Sequence, residues 1–179
     1  AGSAQMTTEQ RLIDFQHIAG LYAQNYAPYE FKRDVIGFDL YKLQPWVDRI
    51  RAAKTDIEYY DIQAEYVASL KDTHSTATNS STFQAYINLD TDIYDGKVLI
   101  DFIARDEFPA AEYPFQIGAE LVSVDGRPVD YWLTELSRTI AFAEPRSRLR
   151  LGASYIFYRV QSVYPRAAEI GQTVHIGYY

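Results

Sequence analysis

The chain is 179 residues long, 47% hydrophobic and 23% charged, which suits one folded domain or two small ones and excludes a disordered chain. Its net charge of −7 speaks against nucleic acid as a partner, because binding a long polyanion calls for a basic face. The absence of cysteine rules out disulfides, thiolate metal ligands and a cysteine nucleophile, and no apolar run approaches the ~20 residues of a membrane span.

Ala1-Gly2-Ser3-Ala4 is small and polar, like a mature N-terminus or a cloning remnant, and no signal peptide is visible. Thr7 and Gln10 have the spacing of a capping box, which predicts a helix start. Leu12, Phe15, Ala19, Tyr22 and Tyr26 then follow at steps of three and four, on one helical face. Pro28 stops that helix, and residues 29–42 read as a loop with short turns. Pro45 fits the first turn of a second helix, with Trp46, Ile50 and Ala53 inward. Thr55 and Glu58 make a second capping box. Tyr59, Gln63, Tyr66 and Leu70 form the stripe of a third helix, with Ile62 and Val67 beside it. Three such helices on short links predict a small bundle.

Beyond the stretch Leu70-Lys71-Asp72-Thr73-His74-Ser75 the pattern changes to strand and turn. Residues 76–82 read as a loop. Phe83, Ala85, Ile87 and Leu89 alternate with polar residues and Tyr86, as in a half-buried strand. Asp95-Gly96 marks a turn, and residues 97–104 a second strand with Val98, Ile100 and Phe102 on one side. Arg105 to Pro114 is a loop with a helical turn at Pro109–Glu112. Leu121–Val124 is a strand closed by Asp125-Gly126. Asp130 offers an N-cap for a helix to about Ala141, with Leu133, Leu136 and Ile140 inward. After Pro145, Leu149, Ala153, Ile156, Phe157 and Val160 fit a helical face, although Gly152 weakens it and a strand stays open. Residues 173–179 read as a strand just beginning, which suggests a fragment of something longer.

The expected fold class is therefore α+β: a small helical bundle over residues 1–75, then an antiparallel β region with one or two helices over residues 76–179. Three pieces in series resemble the C-terminal processing (tail-specific) peptidases and their tricorn-type and retinoid-binding-protein-like relatives. The first is Leu70-Lys71-Asp72-Thr73-His74-Ser75 at the end of the helical region. The second is Pro109-Ala110-Ala111-Glu112 followed by Gly118-Ala119-Glu120. The third, Leu121 to Val129 around Asp125-Gly126, resembles a PDZ-domain hairpin. The family is one of serine peptidases whose catalytic domain normally follows the PDZ-like region.

The resemblance implies a PDZ-like second domain, truncated before the catalytic domain, in a periplasmic or secreted parent. It implies a polypeptide partner that this part recognises or gates, and no cofactor. The serine is paired with a lysine in one branch of the family and with a histidine in the other, and in the second case the resemblance implies His74 as general base towards a serine outside this chain, a role suited to imidazole. The alternative for His74 is structural, its imidazole satisfying a buried backbone group beside Asp72. By position, the loop that would hold a peptide's terminal carboxylate falls at Asn79-Ser80-Ser81-Thr82-Phe83, which makes Ser81, Thr82 and Phe83 the peptide-binding candidates. That loop has no glycine to let backbone N–H groups close around an anion, so PDZ-like shape is better supported than PDZ-like peptide binding.

Other chemistry is poorly represented. No Gly-x-Ser-x-Gly elbow is present, and Ser75, Thr76, Ser80 and Ser81 read as loop hydroxyls. No two histidines stand at i, i+3 or i, i+4, so no metal site is expected; His17 and His175 read as surface residues. Asp90, Asp92 and Asp95 lack calcium-loop spacing. Tyr22, Tyr26, Tyr59, Tyr60 and Tyr66 could line a groove, but packing between helices is the preferred reading. The competing function is a stand-alone module that binds a peptide or lipid-like ligand without peptidase activity.

Overall fold

The computed structural model describes residues 5–171 and 173–179, so the expectation for Ala1–Ala4 lies outside the described residues. The fold is α+β, with a helical N-terminal region followed by small antiparallel sheets. Helix α1 spans Thr8–Asn25 and opens on the expected capping box: Gln10 N donates to Thr7 Oγ1 at 3.2 Å, and Thr7 N to Gln10 Oε1 at 2.8 Å. A short turn, α2 (Tyr29–Phe31), runs into a π-turn over Lys32–Ile36. Helix α3 (Gln44–Ala52) carries Pro45 in its first turn, and α4 (Asp56–Ser69) opens on the Thr55–Glu58 capping box.

These helices share one core of Phe15, Ala19, Leu40, Ile50, Tyr59, Ile62, Tyr66, Val67 and Leu70. Arg11 is buried with them. Its Nε donates to Asp56 Oδ1 at 3.1 Å and its Nη1 to the Ala53 carbonyl at 2.8 Å, which ties α1 to the start of α4. The tyrosines pack as expected, but two hydroxyls do not reach water. Tyr59 donates to Asp14 at 2.5 Å, and the Tyr66 hydroxyl is sealed in with no partner among the described residues.

The expected strand over 83–89 divides at Ile87-Asn88, where Leu89 N turns back to the Ile87 carbonyl. Its first part is β1 (Gln84–Tyr86), and its second continues as β2 (Leu89–Tyr94). Phe83 is exposed rather than inward. Strand β3 (Lys97–Ile103) pairs with β2 across Asp95-Gly96, where both φ angles are positive, as a tight two-residue hairpin turn requires. Val98 and Ile100 are buried as expected, but Phe102 faces solvent and Ile103 takes the inner side. The pairing explains this: Asp90 faces Phe102 while Thr91 faces Ile100, so Asp101 is an extra residue that reverses the alternation.

Strand β4 (Leu121–Val124) lies between β5 (Arg127–Pro128) and β7 (Ile176–Tyr178) and joins β3 through a bridge between Leu99 and Glu120. Helix α5 (Val129–Ser137) starts one residue before the expected N-cap. Extended Pro128 takes that place, and Asp130 sits in the first turn, where its charge still suits the helix dipole. Ile140 is buried just beyond the helix end.

Helix α6 (Pro145–Ser154) is shorter than the apolar pattern, which runs on into strand β6 (Tyr158–Val160). Gly152 belongs to the helix after all. A Cβ there would stand 2.9 Å from Ser137 Oγ, so its absence lets α6 approach α5 closely. The second core comprises Leu89, Val98, Ile100, Ile103, Leu121, Val124, Leu133, Leu136, Ala153, Ile156 and Phe157, among others. Asp61 of α4 links the regions: its Oδ2 accepts from Arg138 Nη2 at 2.8 Å and from Arg166 Nε at 3.0 Å. Among the described residues no helix is long and apolar enough to cross a membrane.

Candidate functional site

The stretch after α4 is shaped by the end of that helix. Leu70 is buried and holds the turn down, and Lys71 adopts φ 50, which breaks the helix. Lys32 Nζ caps the turn by donating to the Lys71 carbonyl at 2.6 Å. Asp72 then accepts from the Tyr26 hydroxyl at 3.0 Å and from the His74 N–H at 3.1 Å. Burial works against the Asp72 charge, but these hydrogen bonds outweigh it and hold its carboxyl below the ordinary range.

His74 Nδ1 stands 3.5 Å from Asp72 Oδ1, an ion-pair distance that is long for a hydrogen bond, and the imidazole is 94% exposed. That exposure leaves the ring no buried group to satisfy among the described residues, while Asp72 turns the chain through the His74 N–H. A carboxylate behind an open imidazole is an arrangement that can take a proton from a group brought to it. Ser75 turns its hydroxyl to Asp72, at 3.5 Å, and not to the imidazole.

The candidates Ser81, Thr82 and Phe83 lie at the entry to β1, and the chain itself engages two of them. Ser81 Oγ donates to Gln161 Oε1 at 2.8 Å, Gln161 N donates to the Phe83 carbonyl at 3.1 Å, and Thr82 is exposed. Nearby, Asn79 N donates to the Ser162 carbonyl and Asn79 Nδ2 to the Gln161 carbonyl, both at 2.9 Å. Beyond this clasp β6 runs antiparallel to β1, with Ala85 opposite Arg159, and Ile87 N donates to the Phe157 carbonyl at 3.1 Å. At the break that follows, the Asn88 carbonyl accepts from Ala104 N at 2.9 Å.

Strand β6 and its flanking residues thus form a two-stranded ladder with β1. Phe157 and Arg159 point inward, and Tyr158 points out to meet Tyr86, with ring centroids 6.2 Å apart. Arg159 is 3% exposed; its guanidinium lies over the Trp132 ring at 4.2 Å, and its Nε donates to the Ile156 carbonyl at 3.1 Å. Burial pulls the guanidinium pKa down, partly offset by Tyr164 and Asp125. Beside β1 a groove of about 470 Å³ opens between Ile87, Phe157, Arg159, Ile170 and Val174.

Arg159, Gln161 and Trp132 were not among the sequence candidates. The available signal was an arginine inside the strand-forming run Ile156-Phe157-Tyr158-Arg159-Val160. His17 is exposed, and His175, 83% exposed, lies 3.8 Å from Asp125 through Nδ1. Among the described residues no three histidine, aspartate or glutamate side chains converge on a point that could hold a metal ion.

Comparison with curated proteins gives no significant match. Among solved structures, mature CPAF is similar in fold, with a TM-score of 0.73 at 20% identity over 96% of this chain and 34% of that one. Mature CPAF complexed with lactacystin matches to the same extent. A point mutant of CPAF gives a TM-score of 0.71 at 22% identity, over 88% of this chain and 29% of that one. The chain therefore spans about a third of the length of the solved chains it matches. The PDZ domain family matches residues 83–176, more than half of the chain and the whole of the β-rich region from β1 into β7. On that match the chain belongs to the PDZ domain family.

Proposed function

We propose that the chain is the helical and PDZ-like portion of a serine-type peptidase of the tail-specific kind, in a periplasmic or secreted parent. In this reading it orients or gates polypeptide for a catalytic domain outside these residues. The observation that carries it is the exposed His74 imidazole backed by Asp72, at the end of the helical region and ahead of a PDZ domain. The likeness of fold to mature CPAF over nearly the whole chain supports the same reading.

PDZ domains bind extended peptides by adding a strand to a sheet edge. Here β6 already fills that edge of β1, and Asn79 and Ser81 hold the internal strand in place. The reading therefore gives the domain a role in positioning substrate without requiring an added strand at β1.

Labelling the full-length parent with a serine-directed fluorophosphonate tests the proposal. The expected result is one modified serine beyond residue 179, with no labelling of this chain alone. Labelling of Ser75, Ser80 or Ser81, or a parent that neither labels nor cleaves polypeptide, would overturn it.

A further inference from the structure

Thr73 and His74 are exposed, so packing does little to fix where the imidazole stands. The turn is closed on itself by Ser75 N, which donates to the Asp72 carbonyl at 2.9 Å, but that bond does not set how the turn sits on the helices. Two side chains from earlier in the chain reach it. Lys32, buried in the π-turn, donates from Nζ to the Lys71 carbonyl at 2.6 Å. Tyr26, the residue that ends α1, donates from its hydroxyl to Asp72 Oδ2 at 3.0 Å.

The second contact divides the Asp72 carboxylate. The last torsion of an aspartate is soft, so a free carboxylate swings about it. With Oδ2 held by Tyr26, Oδ1 is turned to residue 74, where it accepts from the backbone N–H at 3.1 Å and stands 3.5 Å from the imidazole Nδ1. The Tyr26 ring is braced edge-on by Tyr22, with centroids 5.8 Å apart. Burial and the bond to Asp72 together push the Tyr26 hydroxyl pKa up, as a proton held against a carboxylate should be.

We propose that Tyr26 is a positioning residue for His74, acting through Asp72, with Lys32 steadying the same turn at Lys71. The proposal rests on the reading of His74 as general base. It gives the helical region a part in the chemistry, because the end of α1 then sets where the imidazole stands relative to the serine. Misplacing a reacting group by about 1 Å can cost on the order of a hundredfold in rate, and losing one of two holds should cost less.

Steady-state kinetics of the full-length parent on a polypeptide substrate test it, with rates expressed per folded molecule from the amplitude of the thermal melt. Tyr26→Phe keeps the ring and loses the hydroxyl. It should lower kcat roughly tenfold and leave KM within about twofold. In a His74→Ala background the same change should have no further effect, because no imidazole is left to place. Lys32→Met should behave in the same way, and it decides the matter if the Phe variant fails to fold. A tyrosine that only stabilises the fold would lower the melting temperature and leave kcat per folded molecule unchanged. The proposal is overturned by that outcome, by a loss confined to KM, or by an equal loss with and without His74. A parent that cleaves no polypeptide, or whose cleavage does not depend on His74, takes away the general-base reading and this proposal with it. A parent that depends on His74 but not on Tyr26 takes away this proposal alone.

Discussion

Tyr66 sits at the centre of the helical core, meeting Phe15, Tyr22 and Trp46 edge-on. Burial pushes its hydroxyl pKa up to about 12, and no described residue bonds to it. A sealed hydroxyl without a partner keeps its desolvation cost and returns nothing. Tyr66→Phe should therefore raise stability by about 1 kcal/mol in urea denaturation, and a loss of stability would mean the hydroxyl has a partner after all.

His74 offers the opposite case, a side chain with little packing to lose. His74→Ala should leave the melting temperature of this chain within the scatter of surface substitutions. In the full-length parent it should lower turnover by roughly two orders of magnitude. A drop in melting temperature with turnover intact contradicts the assignment. His74 is singled out by a motif of adjacent residues, a signal that can be seen in the sequence. Arg159 was not legible, because its place in the core rests on Trp132, distant in sequence.

Asp61 works between elements, joining α4 to Arg138 just beyond α5 and to Arg166 in the 3₁₀ turn Pro165–Glu169. Its side chain is 3% exposed, whereas the two arginines are about a third exposed. Asp61→Ala should cost about 1–3 kcal/mol, less than a fully buried pair because water still reaches both partners. Calorimetry should also show the helical and β-rich regions unfolding less cooperatively; a variant as stable and cooperative as the parent contradicts the linking role.

Elements whose signals are local were legible. Both capping boxes and the Asp95-Gly96 turn rest on residues a few positions apart, and they stand where the sequence placed them. The side chosen by Phe102 was not, since the extra residue at Asp101 exists only in the pairing with β2. The end of α6 was also obscured. Ala153, Ile156 and Phe157 are apolar because they enter one core from a helix and from the segment leading into a strand, so a single period fits both poorly.

For the molecule as a whole, acid should be the weak side. Asp92 is held below the ordinary carboxylate range by its hydrogen bonds from Arg150, and Asp72 lies low as well. A carboxyl with a lowered folded pKa contributes stability that is full above its unfolded value of about 3.9 and is lost as pH falls through the folded value. The melting temperature should therefore fall as pH drops below about 4, and Asp92→Asn should make that fall shallower. The pair is on the surface, so its share is modest and shrinks in salt. An equally steep fall in the variant would place the acid sensitivity elsewhere.

The whole-molecule arrangement rests on a PDZ domain in which β1 is already paired with β6 of its own chain, with Ile87 N donating to the Phe157 carbonyl and Gln161 N to the Phe83 carbonyl. The most direct test is amide hydrogen exchange at Ile87 and Gln161, with and without an excess of extended peptide. The account predicts that both amides exchange only through global unfolding and that peptide leaves their rates unchanged. Exchange through a local opening, or peptide replacing residues 157–162 along β1, would contradict it.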